Sequence, residues 1–201
     1  MNKCMPYACI PRERQDQLAP QPGWGRGRTE GRLLEVSSQT GGALSAVLIL
    51  LLEYQQIGEW SAWLTNPQAP PYPPDLAAAG VDLQQLAVIL ATTPQAAGKS
   101  ATRLLQSGAF GLIIVDLAAW EGEARLSMAV QSRLAALSRR NTSTVALLSH
   151  KGAQQGSLGS LVSLRVQAER NHLSGVEIHV LKDKRYGPGQ VYCQEMLPPD
   201  G

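Results

Sequence analysis

The chain has 201 residues, of which 44% are hydrophobic and 17% are charged, and its formal net charge is +2. The length and the hydrophobic fraction are ordinary for one globular domain with tails, whereas the charged fraction is low, which suggests surface hidden in an assembly or poor solubility. The small net charge also excludes a large basic surface for nucleic acid, so any contact with DNA would be local or made through partners.

The cysteine content and the hydropathy of the chain indicate the cellular compartment in which we expect the protein. The three cysteines are odd in number and lack metal-ligand spacing, which favours a reducing, cytoplasmic compartment and no metal site. The N-terminus has no apolar core of a signal peptide. The longest apolar run, residues 43–52, is too short to cross a bilayer, so we expect no membrane association.

Residues 1–28 are rich in Pro and Gly and are predicted to form a flexible arm, followed by one domain at 29–197 and a short tail at 198–201. Trp24 lies in this arm beside Arg26 and Arg28. Two interpretations of it stay open. An exposed indole beside cations could anchor a partner or stack on nucleic acid. A tryptophan near a folded body is usually buried, which favours an indole folded back onto the domain.

The next segment has the layout of a phosphate-binding P-loop: an apolar strand at 31–36, a loop of small residues at 37–45, and an apolar helix at 46–57. A working motif reads Gly-x-x-x-x-Gly-Lys-Ser/Thr, in which backbone N–H groups and the lysine hold phosphates and the hydroxyl holds Mg²⁺. If Ser45 supplies the hydroxyl, leucine replaces the lysine. The positions that we single out in this degenerate loop are Ser38, Gly41, Gly42, Leu44 and Ser45.

The remaining pattern alternates strands with helices and then changes to strands alone. The predicted strands are 61–65, 86–90, 112–116, 144–149, 163–168, 176–181 and 191–196, and the main predicted helices are 94–107 and the stripe from Leu126 to Arg140. Such a pattern predicts an α/β fold with a mostly parallel sheet flanked by helices and an antiparallel C-terminal extension.

Three further motifs could carry chemistry. The apolar strand ending at Asp116 has the form of a Walker B element, although a core strand ending in solvent gives the same pattern. The run Ala97-Gly98-Lys99-Ser100 spells the end of a P-loop, but no apolar strand precedes it directly, and we interpret it as a chance match. The cations Lys182, Lys184 and Arg185 could bind phosphate or an acidic partner, or they could form a solvated hairpin tip.

Taken in order, these segments resemble a RecA-type core over most of the chain. The strand 31–36 matches the strand that enters the RecA P-loop, and 79–82 matches a Leu-Gly-Val-Asp stretch. Residues 103–116 resemble the helix and Walker B strand that follow. Residues 180–184 resemble the segment whose lysines reach the ATP of a neighbouring subunit in RecA filaments.

Several departures from the RecA pattern imply loss of catalysis. The P-loop lysine position is Leu44, the catalytic glutamate position falls near Pro67, and the position of the glutamine that senses the γ-phosphate is His150. The segments that match the two DNA-binding loops, after Asp116 and at Gly152–Gly159, are shortened. Because hydrolysis needs phosphate clamping, metal and an oriented water together, we expect no ATPase activity, no catalytic residues and no bound cofactor.

A RecA-like domain without catalysis resembles the ImuA family, accessory proteins of damage-induced (SOS) mutagenesis in bacteria. The resemblance implies protein–protein contacts with RecA, with an ImuB-like Y-family protein and with an error-prone DnaE-type polymerase. It implies Lys182, Lys184, Arg185 and Trp24 as candidate interface residues. Two alternatives stay open: a SulA-like inhibitor of cell division that binds FtsZ, and a weak nucleotide-binding ATPase that uses Ser45 and Asp116 around Mg²⁺.

Overall fold

The computed structural model describes residues 22–122, 124–170 and 175–195, which contain five α-helices and eight β-strands. The strands are β1 (Leu33–Ser37), β2 (Trp60–Thr65), β3 (Leu86–Leu90), β4 (Phe110–Asp116), β5 (Thr144–Ser149), β6 (Leu164–Arg170), β7 (Gly175–Asp183) and β8 (Val191–Glu195). The helices are α1 (Arg26–Thr29), α2 (Gly42–Gln56), α3 (Pro73–Ala78), α4 (Pro94–Ser107) and α5 (Met128–Asn141).

All eight strands form one sheet in the order β3-β2-β4-β5-β1-β6-β7-β8. Each neighbouring pair from β3 to β6 is parallel, whereas β7 runs antiparallel to β6 and β8 antiparallel to β7. The predicted α/β fold, with a mostly parallel sheet and an antiparallel C-terminal extension, is confirmed.

Hydrophobic packing covers both faces of the sheet. Helix α2 packs on one face through buried side chains such as Leu50 and Leu51. Helices α4 and α5 pack on the other face, where Leu105 and Leu134 are fully buried. Strands in the centre of a parallel sheet are covered on both sides, which explains why most of β4 and β5 reads as a continuous apolar run in the sequence.

Local signals fix where the long helices begin and end. The Thr93 hydroxyl accepts the Ala96 N–H at 3.1 Å and caps the start of α4, and the Ser127 hydroxyl caps α5 in the same way. Helix α4 ends at Ser107 and is followed by Gly108, which has a φ of 70° and adopts the left-handed conformation that glycine favours.

The packed domain extends further toward the N-terminus than the predicted boundary at residue 29. Trp24 is only 2% exposed, and its indole N–H donates to the Ala46 carbonyl of α2 at 3.0 Å. Arg28, at the end of the predicted arm, is fully buried. Residues 1–21 of the predicted arm and the predicted tail at 198–201 lie outside the described residues.

Among the described residues, no helix combines the length and the apolar character needed to cross a membrane.

Candidate functional site

The candidate site lies at the edge of the sheet formed by the carboxyl ends of the parallel strands, where ligands bind in open α/β folds. The loop after β1, Asp116 at the end of β4 and Ser149 at the end of β5 all reach this edge. Strand β5 lies between β4 and β1, and the Ser38 N–H donates to the Ser149 carbonyl at 3.2 Å. The P-loop-like segment is therefore joined directly to the end of β5.

The loop between β1 and α2 is closed by one of its own side chains. The Ser38 hydroxyl accepts backbone N–H groups from Thr40 at 3.1 Å and from Gly42 at 3.0 Å, and Ser38 is only 4% exposed. Gly41, with a φ of 81°, turns the chain into α2. In a working P-loop such N–H groups would face phosphate. Here two of them already have an internal acceptor.

Leu44 and Ser45, in the first turn of α2, offer neither a positive charge nor a solvent-exposed hydroxyl group. Leu44, at the lysine position of the motif, is 40% exposed. Ser45 is 1% exposed, and its hydroxyl accepts a hydrogen bond from the Arg170 guanidinium at 3.4 Å. The Ser45 oxygen is therefore held against the end of β6 and is not open to solvent.

Gly42 brings the start of α2 against β6. A Cβ atom at this position would lie 2.5 Å from the Ala168 carbonyl oxygen and 2.8 Å from the Glu169 nitrogen, both of which belong to backbone. The glycine therefore permits the close approach of the start of α2 to β6.

Asp116 lies where the Walker B interpretation places an acid. Burial raises the pKa of its carboxyl group above the ordinary value of 3.8, while hydrogen bonds from the backbone of Ala118 and Ala119 act in the opposite direction. Burial therefore disfavours the charged form of this carboxyl group.

Sequence analysis did not single out Glu35, which is the most connected carboxylate of the site. It lies in the middle of β1, is fully buried, and accepts hydrogen bonds from the Ser149 hydroxyl at 3.1 Å, the Ser157 hydroxyl at 2.9 Å and the Leu158 N–H at 2.8 Å. An acid inside an otherwise apolar strand is the sequence signal that could have found it, since buried acids are rare unless paired.

Two cations share Glu35 and hold the loop at residues 152–159. The Lys151 ammonium lies 3.5 Å and the Arg165 Nε 3.7 Å from Glu35 Oε1. Lys151 also donates to the Gly156 carbonyl, and Arg165 donates to the Gly152 carbonyl at 3.0 Å. The loop at residues 152–159 is thereby tied to the core by buried charges.

The lysine pair, Lys182 and Lys184, lies beside the same loop on β7 and just after it. The Lys182 ammonium is 3.5 Å from the Gly159 carbonyl, and the Lys184 ammonium donates to the Ser160 carbonyl at 2.6 Å. Burial, followed by the neighbouring Lys184 charge, lowers the pKa of Lys182. Both lysines bind neutral carbonyl groups, and Lys184 is exposed, as is Arg185.

Asp183, which lies between the two lysines in the sequence, forms buried ion pairs with two arginines. Its carboxylate accepts hydrogen bonds from Arg28 at 2.6 Å and from Arg32 at 2.7 Å, and all three residues are buried. Burial alone would raise the pKa of Asp183, but the Arg32 hydrogen bond and the Arg185 N–H outweigh it and hold the pKa below its ordinary value. The hairpin is therefore anchored to the chain just before β1.

The other predicted positions are dispersed. Trp24 is buried in the core, so the interpretation of its indole as an exposed anchor for a partner is wrong. His150 is exposed at the end of β5, and Pro67 is exposed after β2.

Comparison of the chain with protein-family models and with curated proteins finds no match.

Proposed function

We propose that the chain is a non-catalytic RecA-like accessory protein of bacterial translesion synthesis, similar to ImuA, which acts by binding other proteins. Its proposed partners are RecA, an ImuB-like Y-family protein and an error-prone DnaE-type polymerase. The observation that carries the proposal is the loop after β1, which keeps a P-loop position while Ser38 accepts its N–H groups and Leu44 supplies no charge.

The proposal follows from what phosphoryl transfer requires. The reaction depends on electrostatic stabilisation and positioning by a phosphate cradle, a cation, a metal ion and an oriented water. In this loop the cradle has an internal acceptor, and Ser45 is turned toward Arg170. A fold that retains the architecture of a nucleotide-binding domain without these groups is best suited to present surfaces to partners.

The lysine pair is the proposed contact with a RecA protomer. The ammonium groups of Lys182 and Lys184 donate to neutral carbonyl groups, so their positive charge can attract an anionic group across an interface. Such a contact needs cations and geometry and does not need a P-loop in the same chain. The resemblance of residues 180–184 to the RecA segment is the reason for naming RecA as the partner.

Replacement of both lysines tests this contact. We expect Lys182→Ala with Lys184→Ala to weaken binding to purified RecA filaments by about tenfold or more, since loss of charged hydrogen bonds at an interface costs several kcal/mol. Affinity is measured by titration with fluorescently labelled protein. The matched control is Arg139→Ala with Arg140→Ala, which removes two exposed cations at the far end of α5. Equal affinities of the lysine variant and the wild type would contradict the role of the lysine pair.

Affinity purification tests the wider function. Tagged protein recovered from DNA-damaged bacterial cells should carry RecA together with the ImuB-like protein or the error-prone polymerase, identified by mass spectrometry. Recovery of FtsZ instead would favour a SulA-like role. Isothermal titration with Mg-ATP is the companion measurement, and a micromolar dissociation constant would favour the alternative of a nucleotide-binding ATPase.

A further inference from the structure

The outer surface of helices α4 and α5 carries cations and no acids. Together the two helices contain Lys99, Arg103, Arg133, Arg139 and Arg140, all of them exposed, and neither helix contains an Asp or a Glu. We propose that this surface, the α4–α5 face, binds the sugar–phosphate backbone of duplex DNA without reading its sequence. The inference goes beyond the proposed function, because it concerns a contact with DNA that the chain makes itself.

The two helices form one continuous surface. A Cβ atom on Gly98 of α4 would lie 2.8 Å from Cγ1 of Val130 on α5. At the other end, the Asn141 side chain of α5 donates to the Leu105 carbonyl of α4. Contacts near both ends show that the helices run side by side in the same direction, with axes about 8–10 Å apart. Their exposed cations therefore share one side of the molecule.

Three of the cations lie in the middle of this face. Lys99 and Arg103 are four residues apart and so lie on the same side of α4, about 6 Å apart along its axis. Arg133 follows Val130 by three residues, and the contact of Val130 with Gly98 places Arg133 between Lys99 and Arg103 along the paired helices. The three charges are therefore separated enough for each to meet a different phosphate.

Helix stability accounts for only two of the five cations. Arg139 and Arg140 lie in the last turn of α5, where the helix dipole favours positive charge. Lys99, Arg103 and Arg133 lie outside a last turn, so the dipole gives no reason for them. Their own helices also offer them no acid three or four residues away with which to form an ion pair. These three charges are therefore available to a partner.

The remaining charges direct DNA to this face. Residues 33–98, which contain α2, α3 and the strands β1 to β3, include five acids and no Lys or Arg. Glu59, Asp75 and Asp82 among these acids are exposed. Helices α2 and α3 pack on the opposite face of the sheet from α4 and α5. The net charge of +2 therefore hides an uneven distribution, in which the acidic side repels a polyanion and the α4–α5 face attracts it.

The residue types of the face favour DNA over an acidic protein. Protein–protein interfaces have apolar or aromatic centres that are depleted of charge, whereas protein–DNA interfaces are much more positively charged. Neither helix contains Phe, Tyr or Trp, and Met128, an exposed large apolar side chain, lies at the very start of α5. A face without aromatic rings has no platform for unpaired bases, which favours the duplex over a single strand.

The salt dependence of binding gives a direct test. A short fluorescently labelled DNA duplex is titrated with the full chain at several salt concentrations, and anisotropy reports the affinity. We expect the logarithm of the binding constant to fall with the logarithm of salt concentration with a slope of about −2.7, since each of three neutralised phosphates contributes about −0.9. Absence of binding at about 100 μM protein in low salt would overturn the inference.

Paired substitutions distinguish this face from general attraction. Arg103→Gln with Arg133→Gln should weaken binding about tenfold or more in low salt and reduce the slope by about 2, and Lys99→Gln alone should reduce it by about 1. The matched control, Lys184→Gln with Arg185→Gln, removes two exposed cations at the hairpin of β7 and β8 and should leave the slope unchanged. Equal changes in both double variants, or no change in the first, would overturn the inference. Circular dichroism verifies folding, which glutamine on a helix surface preserves.

Two further probes test the other occupants. Oligothymidylate with the same number of phosphates represents single-stranded DNA, and polyglutamate of the same charge represents an acidic protein segment. Binding of either probe as tightly as the duplex would overturn the inference. Because these titrations contain no RecA, DNA binding by a chain that fails to bind RecA or the polymerase proteins contradicts the proposed function alone.

Discussion

The carboxylate of Asp183 holds two buried guanidinium groups, those of Arg28 and Arg32. The Arg28 guanidinium carbon lies 5.2 Å from the centre of the Tyr186 ring and 5.4 Å from the centre of the Tyr192 ring. The Arg28 guanidinium also donates a hydrogen bond to the Tyr192 hydroxyl. Cation–π contacts of this kind supplement the ion pair where water is excluded. The surroundings of Arg28 are therefore complementary to a positive charge from several directions.

Removal of the Asp183 charge should be strongly destabilising. We expect Asp183→Asn to lower the free energy of unfolding by about 3–5 kcal/mol near neutral pH, because it leaves two buried cations without a counter-ion. Urea denaturation of both proteins measures the difference. Since the folded-state pKa lies below the ordinary 3.8, the wild-type advantage is complete above pH 3.8 and declines as the pH falls through the folded pKa. A difference that grew in acid would contradict this assignment.

Ser38 and Leu44 are two residues by which the loop after β1 and the start of α2 differ from a working P-loop motif. In Ser38→Gly the N–H groups of Thr40 and Gly42 lose their internal acceptor, and in Leu44→Lys a cation returns to the motif. We expect the double variant to bind inorganic pyrophosphate at least about tenfold more tightly than the wild type, since hydrogen bonds to charged groups contribute about 1.5–3 kcal/mol each. Isothermal titration provides the affinities, with Leu44→Met as the control. Equal affinities would mean that other features block the loop.

At the scale of elements, the start of α2 is fixed by its contact with β6. We expect Gly42→Ala to cost about 1–3 kcal/mol of unfolding free energy, because its Cβ atom would lie 2.5 Å from the Ala168 carbonyl oxygen and both sides of the contact are backbone. Gly23→Ala is the matched control, since a Cβ atom there meets nothing within 4 Å. Thermal unfolding followed by circular dichroism compares the two. A loss as small as that of the control would show that α2 can shift away from β6.

The elements were the part of this fold that the sequence could predict. Strands such as β4 and β5 are short apolar runs bounded by polar residues, and α4 has a threonine cap and a glycine stop, so each signal lies within a few neighbouring residues. Contacts between residues that are far apart in the sequence could not be predicted from such local signals. Arg28 and Asp183 are 155 positions apart, and no periodicity relates them.

The candidate site was predictable in position but not in detail. The loop after β1 and Asp116 could be placed at one sheet edge because carboxyl ends of parallel strands meet there. The Ser38 hydroxyl could equally have faced solvent, since its direction depends on the turn at Gly41. The pairing of Glu35 with Lys151 and Arg165 depends on which strands are neighbours, which the residue pattern leaves undetermined.

At the scale of the whole molecule, the segment before β1 is part of the core. We expect a variant lacking residues 1–28 to be less stable than one lacking residues 1–21, by about 3–5 kcal/mol or more, because the longer deletion removes Trp24 as well as Arg28. Denaturant titration of the two truncated proteins measures the difference. Equal stabilities would show that the predicted boundary at residue 29 is the true edge of the domain.

The sheet also joins the beginning of the described chain to its end. Arg28 meets Asp183 and Tyr192, which follow it by 155 and 164 positions. At about 5–20 residues per second of synthesis, the ribosome needs roughly ten to thirty seconds to supply these partners. During that interval the Arg28 guanidinium of the nascent chain lacks these two partners, and the sheet beside it is incomplete. The contacts of Arg28 with Asp183 and Tyr192 therefore form only after the hairpin of β7 and β8 has been synthesised.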